Sequence, residues 1–250
     1  MKRFGFPIHG AIDGYSRKIL WLEIVRSNND PRSTSLLYLH CTALHDGCPV
    51  LLRTDCGTEN GDMAAMQCFF RRNGSDSYSG LKSHKYGSSH ANQRIEGWWS
   101  FFRRRKSEFW IDYFKGLVDS GKIDLGKKLH MEFLWFCFNR VLQKELNDTK
   151  EHWNTHRIRK SGFSAVHGVP NVIFDLPERW GGENCLQEVP TAEVHQMLAT
   201  VDYHQESIDE DVADIQSYIE HITENQAIAI PQTFVEAVDL LDYFLYLCDE

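Results

Sequence analysis

The hydrophobic pattern changes period along the chain. Ile8-His9-Gly10-Ala11-Ile12 reads as a short extended segment closed by a turn at Asp13-Gly14, and Lys18 to Val25 is a run rich in Ile, Leu, Trp and Val. Together they predict a β-hairpin. Asn29 or Asp30 then caps a helix whose first turn suits Pro31, with Gly47 as its stop. Pro49-Val50-Leu51-Leu52-Arg53-Thr54 predicts one compact apolar strand, with Asp55 to Gly61 as the loop at its carboxyl end. Asp62 to Arg72 predicts a short helix with Met63, Met66 and Phe70 on a shared face. The Gly- and Ser-rich stretch 73–90 predicts a mobile loop with one short strand.

From Ala91 the period becomes helical. Ile95, Trp98, Phe102, Phe109, Tyr113 and Leu117 keep to one apolar stripe, while Arg103 to Lys106 turn outward and Gly116 or Gly121 ends the element. Lys127 to about Asn154 predicts a second long helix with Leu129, Phe133, Phe136, Val141 and Leu142 in the core. Residues 161–186 read as loop-rich, and three further helices follow near Thr191–Leu198, Asp209–Glu224 and Thr233–Leu247. Strands interleaved with helices early, then helices alone, predict an α/β domain with an α-helical extension. The expected divisions are a core over 1–122, its helical extension over 123–186, and an acidic helical region over 187–250.

Composition narrows the class. The chain has 250 residues, 42% hydrophobic and 25% charged, with 7 Pro and 17 Gly, which argues for a globular protein over a disordered or fibrous one. Its longest apolar runs, such as Phe133 to Phe138, fall far short of the roughly 20 residues of a spanning helix, and Met1-Lys2-Arg3 leads into no sustained apolar stretch, so neither a membrane segment nor a signal peptide is expected. Seven scattered cysteines without a Cys-x-x-Cys spacing read as the reduced thiols of an intracellular protein, and no zinc is expected.

Charge is unevenly spread. Residues 1–160 hold 26 Lys and Arg against 17 Asp and Glu, whereas residues 161–250 hold Arg179 alone against 18 acids, which together give the net charge of −8. A basic body suited to polyanions is followed by an acidic segment, which is compatible equally with a solubilising role.

Two carboxylates carry the candidate chemistry. Asp55 directly follows an apolar strand, where open α/β folds bind ligands, and precedes Gly57-Thr58-Glu59. Glu96 lies in the first turns of an amphipathic helix behind Asn92-Gln93-Arg94, and Glu96, Ser100, Arg103 and Ser107 fall on one stripe opposite the aromatic one. Converging carboxylates hold Mg²⁺ ions that serve phosphoryl transfer. Spacing alone leaves the ordinary reading open, of an exposed loop Asp and a Glu favoured by the helix dipole.

Asp13-Gly14-Tyr15-Ser16-Arg17, Arg53-Thr54-Asp55-Cys56-Gly57-Thr58-Glu59 and Asn92-Gln93-Arg94-Ile95-Glu96 with Trp98 and Trp99 together resemble the integrase core, in wording closer to that of eukaryotic mobile elements than of viruses. His152-Trp153-Asn154-Thr155-His156-Arg157 is similar to the helical segment that follows such a core, so the resemblance covers about residues 4–180. It implies a ribonuclease H-like mixed sheet flanked by helices, Mg²⁺ or Mn²⁺ as the cofactor, DNA as the partner, multimeric action and a nuclear location. Asp55 matches the second catalytic aspartate and Glu96 the glutamate. The 40 residues between them form a gap somewhat longer than usual in the family. Arg103 falls where the family keeps a basic residue that touches the DNA end, and Arg94, Arg104 and Thr58 accompany it as DNA contacts.

The resemblance places the first catalytic aspartate on a strand upstream of Lys2-Arg3-Phe4-Gly5-Phe6, so that strand and its carboxylate are expected to be missing and polynucleotidyl transfer to be silent in this sequence. Asp13 matches instead the turn after the second strand. A fragment, a remnant kept for another use, and a site in which Asp13 serves as first ligand are the three readings left. Arg103 to Lys106 fits a solvated helix face as well as a DNA contact, and His152 with His156 lacks the Glu of a metalloprotease helix. The expected function is nucleic-acid binding by an integrase-core protein. The alternative is a protein-interaction scaffold that uses the acidic helices and does not touch DNA.

Overall fold

The computed structural model describes residues 1–87, 92–160, 166–203 and 209–249, without the side chains at 105, 202, 203 and 249. The predicted helix start at Ala91 lies outside the described residues. The chain divides into two compact units, each gathered from separate stretches: Met1–Ile8, Phe102–Asp148 and Glu206–Glu250 in one, His9–Phe101 and Thr149–Gln205 in the other.

The second unit carries the strands. β1 (Ile8–Ile12) and β2 (Ile19–Ile24) are hydrogen-bonded neighbours, and a connection as short as residues 13–18 allows only an antiparallel pair. The predicted hairpin is therefore present. Asp13 builds its turn, one carboxylate oxygen accepting from the Tyr15 N–H (3.1 Å), the Ser16 N–H (2.6 Å) and the Ser16 hydroxyl (2.7 Å). Asn154, buried at the far end of a long helix, exchanges hydrogen bonds of 2.8 and 2.9 Å with the backbone of Ile19. Helix α1 (Pro31–Leu44) starts as predicted, with Pro31 in its first turn and Asp30 accepting from the Arg32 N–H at 3.0 Å.

Gly47 does not stop that helix. It opens β3 (Gly47–Pro49), and a side chain there would strike the Gln187 carbonyl at 2.7 Å, because β6 (Leu186–Glu188) runs antiparallel against it. Nor is Pro49 to Thr54 one strand. The run breaks after Pro49 and resumes as β4 (Leu52–Thr54), which pairs in parallel with β5 (His84–Tyr86). The apolar residues of this run are divided between two partners, and proline, with no N–H to give, stands where the first ladder ends. Helices α2 (Gly61–Phe70) and, later in the chain, α7 (Thr191–Tyr203) pack on α1, and Trp21, Tyr38, Leu39, Cys48, Met63, Met66, Val189 and Val194 form the core between them. Burial pushes the Cys41 and Cys48 thiols up to about 11. Among the described residues the strands make three two-stranded sheets in place of a single mixed sheet. The loop-rich 161–186 contains, besides β6, the short helix α6 that spans Pro170–Asp175; among helices numbered in chain order, α3 (Gln93–Phe102), α4 (Glu108–Asp119) and α5 (Lys128–Thr155) precede it.

The first unit is helical: α4, most of α5, α8 (Glu210–Asn225) and α9 (Phe234–Asp249). Between α3 and α4 the helix widens into one π-helical turn, Arg103–Ser107. Such a turn adds a residue and rotates everything after it. Two members of the predicted stripe slip by one position, Trp110 (4% exposed) and Phe114 (1%) being buried in place of Phe109, which is 58% exposed, and Tyr113, which is half-buried, while Leu117 is buried as expected. Phe114 stacks on Phe6 at 5.1 Å and meets Phe4, Trp110 and Phe138 within 5.8 Å. In α5, Phe133, Val141 and Leu142 are buried as expected, Leu129 and Phe136 half-buried. Helices α8 and α9 pack within this unit: Phe244 of α9 stacks on Phe133 at 4.9 Å, and Lys128 holds Asp209 (2.8 Å) and Asp211 (2.7 Å) at the start of α8.

The slipped stripe gives a direct stability test. Phe114→Ala should cost about 3–5 kcal/mol in urea unfolding, and Phe109→Ala less than half of that. Equal costs would mean that the helix runs without the π-helical turn.

Candidate nucleic-acid and metal site

The site begins where β4 ends. The Thr54 hydroxyl lies 3.0 Å from His84 Nε2 on β5, which ties the ends of the parallel pair together, and Asp55 follows in the open. The chain then turns through Gly57 into a 3₁₀ turn over Thr58–Asn60 and directly into α2. A side chain at Gly57 would meet the Glu59 carboxylate, which packs over it and would have to swing away. Thr34 of α1 pins the turn from below, its hydroxyl donating to the Glu59 carbonyl at 2.6 Å. Asn60 closes it. Its amide, 4% exposed, donates to Asp55 Oδ1 at 2.7 Å and more weakly to Glu59 Oε1 at 3.4 Å. A buried amide that donates to the exposed carboxylate above it restrains that side chain.

His9 on β1 senses the same carboxylate. Its Nδ1 accepts from Trp21 Nε1 at 2.9 Å, which sets the neutral tautomer with the proton on Nε2. Burial lowers its pKa, and the nearby negative charge of Asp55 opposes that shift.

Glu96 sits in the first turn of α3, exposed, with its backbone N–H on the Asn92 carbonyl at 3.1 Å. Arg94 is exposed on the same turn, and its charge, after burial, lowers the pKa of Arg17. Trp98 is buried and meets Trp99 edge-on at 4.9 Å and Trp153 at 6.3 Å, so it serves packing.

A family model described as the integrase core domain matches residues 1–171. The chain belongs to the integrase core domain family. No curated protein and no solved structure matches it.

Within this integrase core, Asp55, Thr58, Arg94 and Glu96 belong to one compact unit, while Arg103 and Arg104 stand exposed on the π-helical turn of the other; the side chain of Arg105 lies outside the described residues. Asp13 is engaged in its own turn by three donors. The His152 and His156 rings stack at 5.5 Å, exposed at the carboxyl end of α5. Among the described residues no group of three or more His, Cys, Asp or Glu is placed to hold a metal ion. Magnesium nevertheless uses one or two protein carboxylates together with substrate phosphate and water, and Asp55 and Glu96 are oxygen donors of that kind. The sequence reading overlooked Asn60 and His9. The strand alternation that puts His9 opposite Ile8 and Gly10 was the signal for one; nothing short of the turn geometry marks the other.

His9 provides the pH test. A histidine with a lowered native pKa adds stability that is whole above the unfolded value of about 6.5 and is lost as pH falls through the native value. Asp55→Asn removes the opposing charge, so an NMR titration should show the His9 pKa falling further. An unmoved His9 would separate the two residues.

Proposed function

We propose that this integrase-core chain binds DNA, and that its site descends from one for metal-dependent polynucleotidyl transfer in integration or transposition. The observation that carries the reading is the Asp55 carboxylate, presented at the end of a parallel strand and oriented by Asn60, in a chain whose family is the integrase core. The hairpin β1–β2 and the parallel pair β4–β5 are pieces suited to a ribonuclease H-like sheet. Asp55 and Glu96 would hold the divalent ion, Mg²⁺ or Mn²⁺, which when bound activates an attacking oxygen and stabilises a leaving one. Asn60 restrains Asp55, and Arg103 and Arg104 offer fixed charge to phosphates, with Arg94 and Thr58 beside Glu96 and Asp55. An origin in a mobile element, a nuclear location and action as an oligomer belong to the same reading.

Asp55 and Glu96 by themselves would suit phosphate binding, and strand transfer would call for a third carboxylate. The scaffold alternative is less favoured, because acids of the C-terminal helices are engaged in ion pairs with Lys122, Lys128 and Arg72.

Binding of a labelled DNA duplex should weaken steeply with salt, and Arg103→Ala/Arg104→Ala should flatten the log–log slope by about 2, roughly 0.9 for each phosphate no longer neutralised. An unchanged slope would remove those arginines from the interface. With Mg²⁺ or Mn²⁺ present, the duplex should be retained without nicking. Nicking abolished by Asp55→Asn would instead require a complete site in this sequence.

A further inference from the structure

The parallel pair β4–β5 presents an exposed aromatic ring beside Asp55. Its register sets Leu52 beside His84 and Thr54 beside Tyr86, so Tyr86 stands opposite the residue that precedes Asp55. Adjacent strands lie about 4.8 Å apart and successive residues about 3.3 Å, which puts the Tyr86 backbone roughly 6 Å from that of Asp55. Parallel strands are ordinarily covered on both faces. Tyr86 is 54% exposed.

The ring is also held. His84, two residues earlier and therefore on the same face of β5, meets it edge-on at 4.4 Å, and His84 Nε2 lies 3.0 Å from the hydroxyl of buried Thr54. Directly after the ring, the Gly87 N–H donates to the Thr54 carbonyl at 2.9 Å. An aromatic side chain fixed in this way loses little further conformational freedom when a ligand covers it. The surroundings suit a polyanion: from Ser77 to Ile95 the sequence has Lys82, Lys85 and Arg94 and no Asp or Glu, and all three cations are exposed. A nucleobase would cover the ring while its strand's phosphates meet those charges. An apolar protein segment would cover the same ring and leave the charges unanswered.

We infer that Tyr86 is a platform on which an unpaired nucleobase of bound DNA stacks, beside the Asp55 carboxylate. This rests on the reading of the chain as a DNA binder and names the form of DNA that its site prefers, a duplex with an opened end. Every base has a π-face, so the platform selects an open strand and not a sequence.

The test measures binding at low salt, by fluorescence anisotropy, to a duplex forked at one end and to the same fork with abasic tails. The unaltered chain should hold the fork with bases about 5- to 100-fold more tightly, the range for one base on one ring. Tyr86→Ala should abolish that advantage and Tyr86→Phe keep it. No advantage in the unaltered chain, an advantage that survives Tyr86→Ala, or its loss in Tyr86→Phe would each overturn the platform and leave the DNA reading standing. Absence of binding to either fork by the unaltered chain would overturn both. Should Tyr86→Ala fail to fold, nitration of Tyr86 in the unaltered chain decides: stronger protection by the fork with bases than by the abasic one supports the platform, and equal reactivity overturns it.

Discussion

One hydrogen bond orders the candidate site: the buried amide of Asn60 on the carboxylate of Asp55. It spans five residues, yet four elements meet in it. The parallel pairing of β4 with β5 ends one residue before Asp55, the Thr58–Asn60 turn supplies the donor, α2 begins immediately afterwards, and Thr34 at the start of α1 holds the turn by the Glu59 carbonyl. Remove the donor and the carboxylate becomes an ordinary solvated side chain. With the donor in place it is aimed, and its field reaches His9 on the neighbouring hairpin.

The distribution of charge follows the same economy. Part of the acidic C-terminal segment is met locally by cations: Lys128 takes Asp209 and Asp211, Lys122 takes Asp242, and Arg72 takes Glu193. Exposed pairs of this kind contribute little stability each. The packing of Phe244 on Phe133 does more, and the ion pairs settle which faces meet. Arg103 and Arg104 are exposed on the π-helical turn, and the proposed DNA contact is attached to them.

Much of this was legible in the sequence. Period-2 and period-3.6 patterns located the hairpin, the capped helix α1 and the longer helices from α3 onward to within a few residues, and the motif around Asp55 and Glu96 led to the integrase core. What was not legible depended on contacts remote in the chain. Pro49 to Thr54 looks like one strand because nothing local announces that β6 claims Pro49 with the residues before it and β5 claims Leu52 to Thr54. Gly47 resembles a helix stop, and only the close passage of Gln187 shows its purpose. The π-helical turn has no compositional mark, yet it exchanged Phe109 for Trp110 and Tyr113 for Phe114 in the core. Asn60 is the same lesson at the site: an unremarkable residue whose value lies in where the turn puts its amide.

The proposal to be tested is that Asp55 and Glu96 would hold a divalent ion in this integrase core. Paramagnetic Mn²⁺, added to the ¹⁵N-labelled chain, tests it most directly. The account predicts selective broadening of amide signals around Asp55–Asn60 and around Glu96, abolished by Asp55→Asn. Broadening confined to the acidic C-terminal helices, or left unchanged by that substitution, would contradict it.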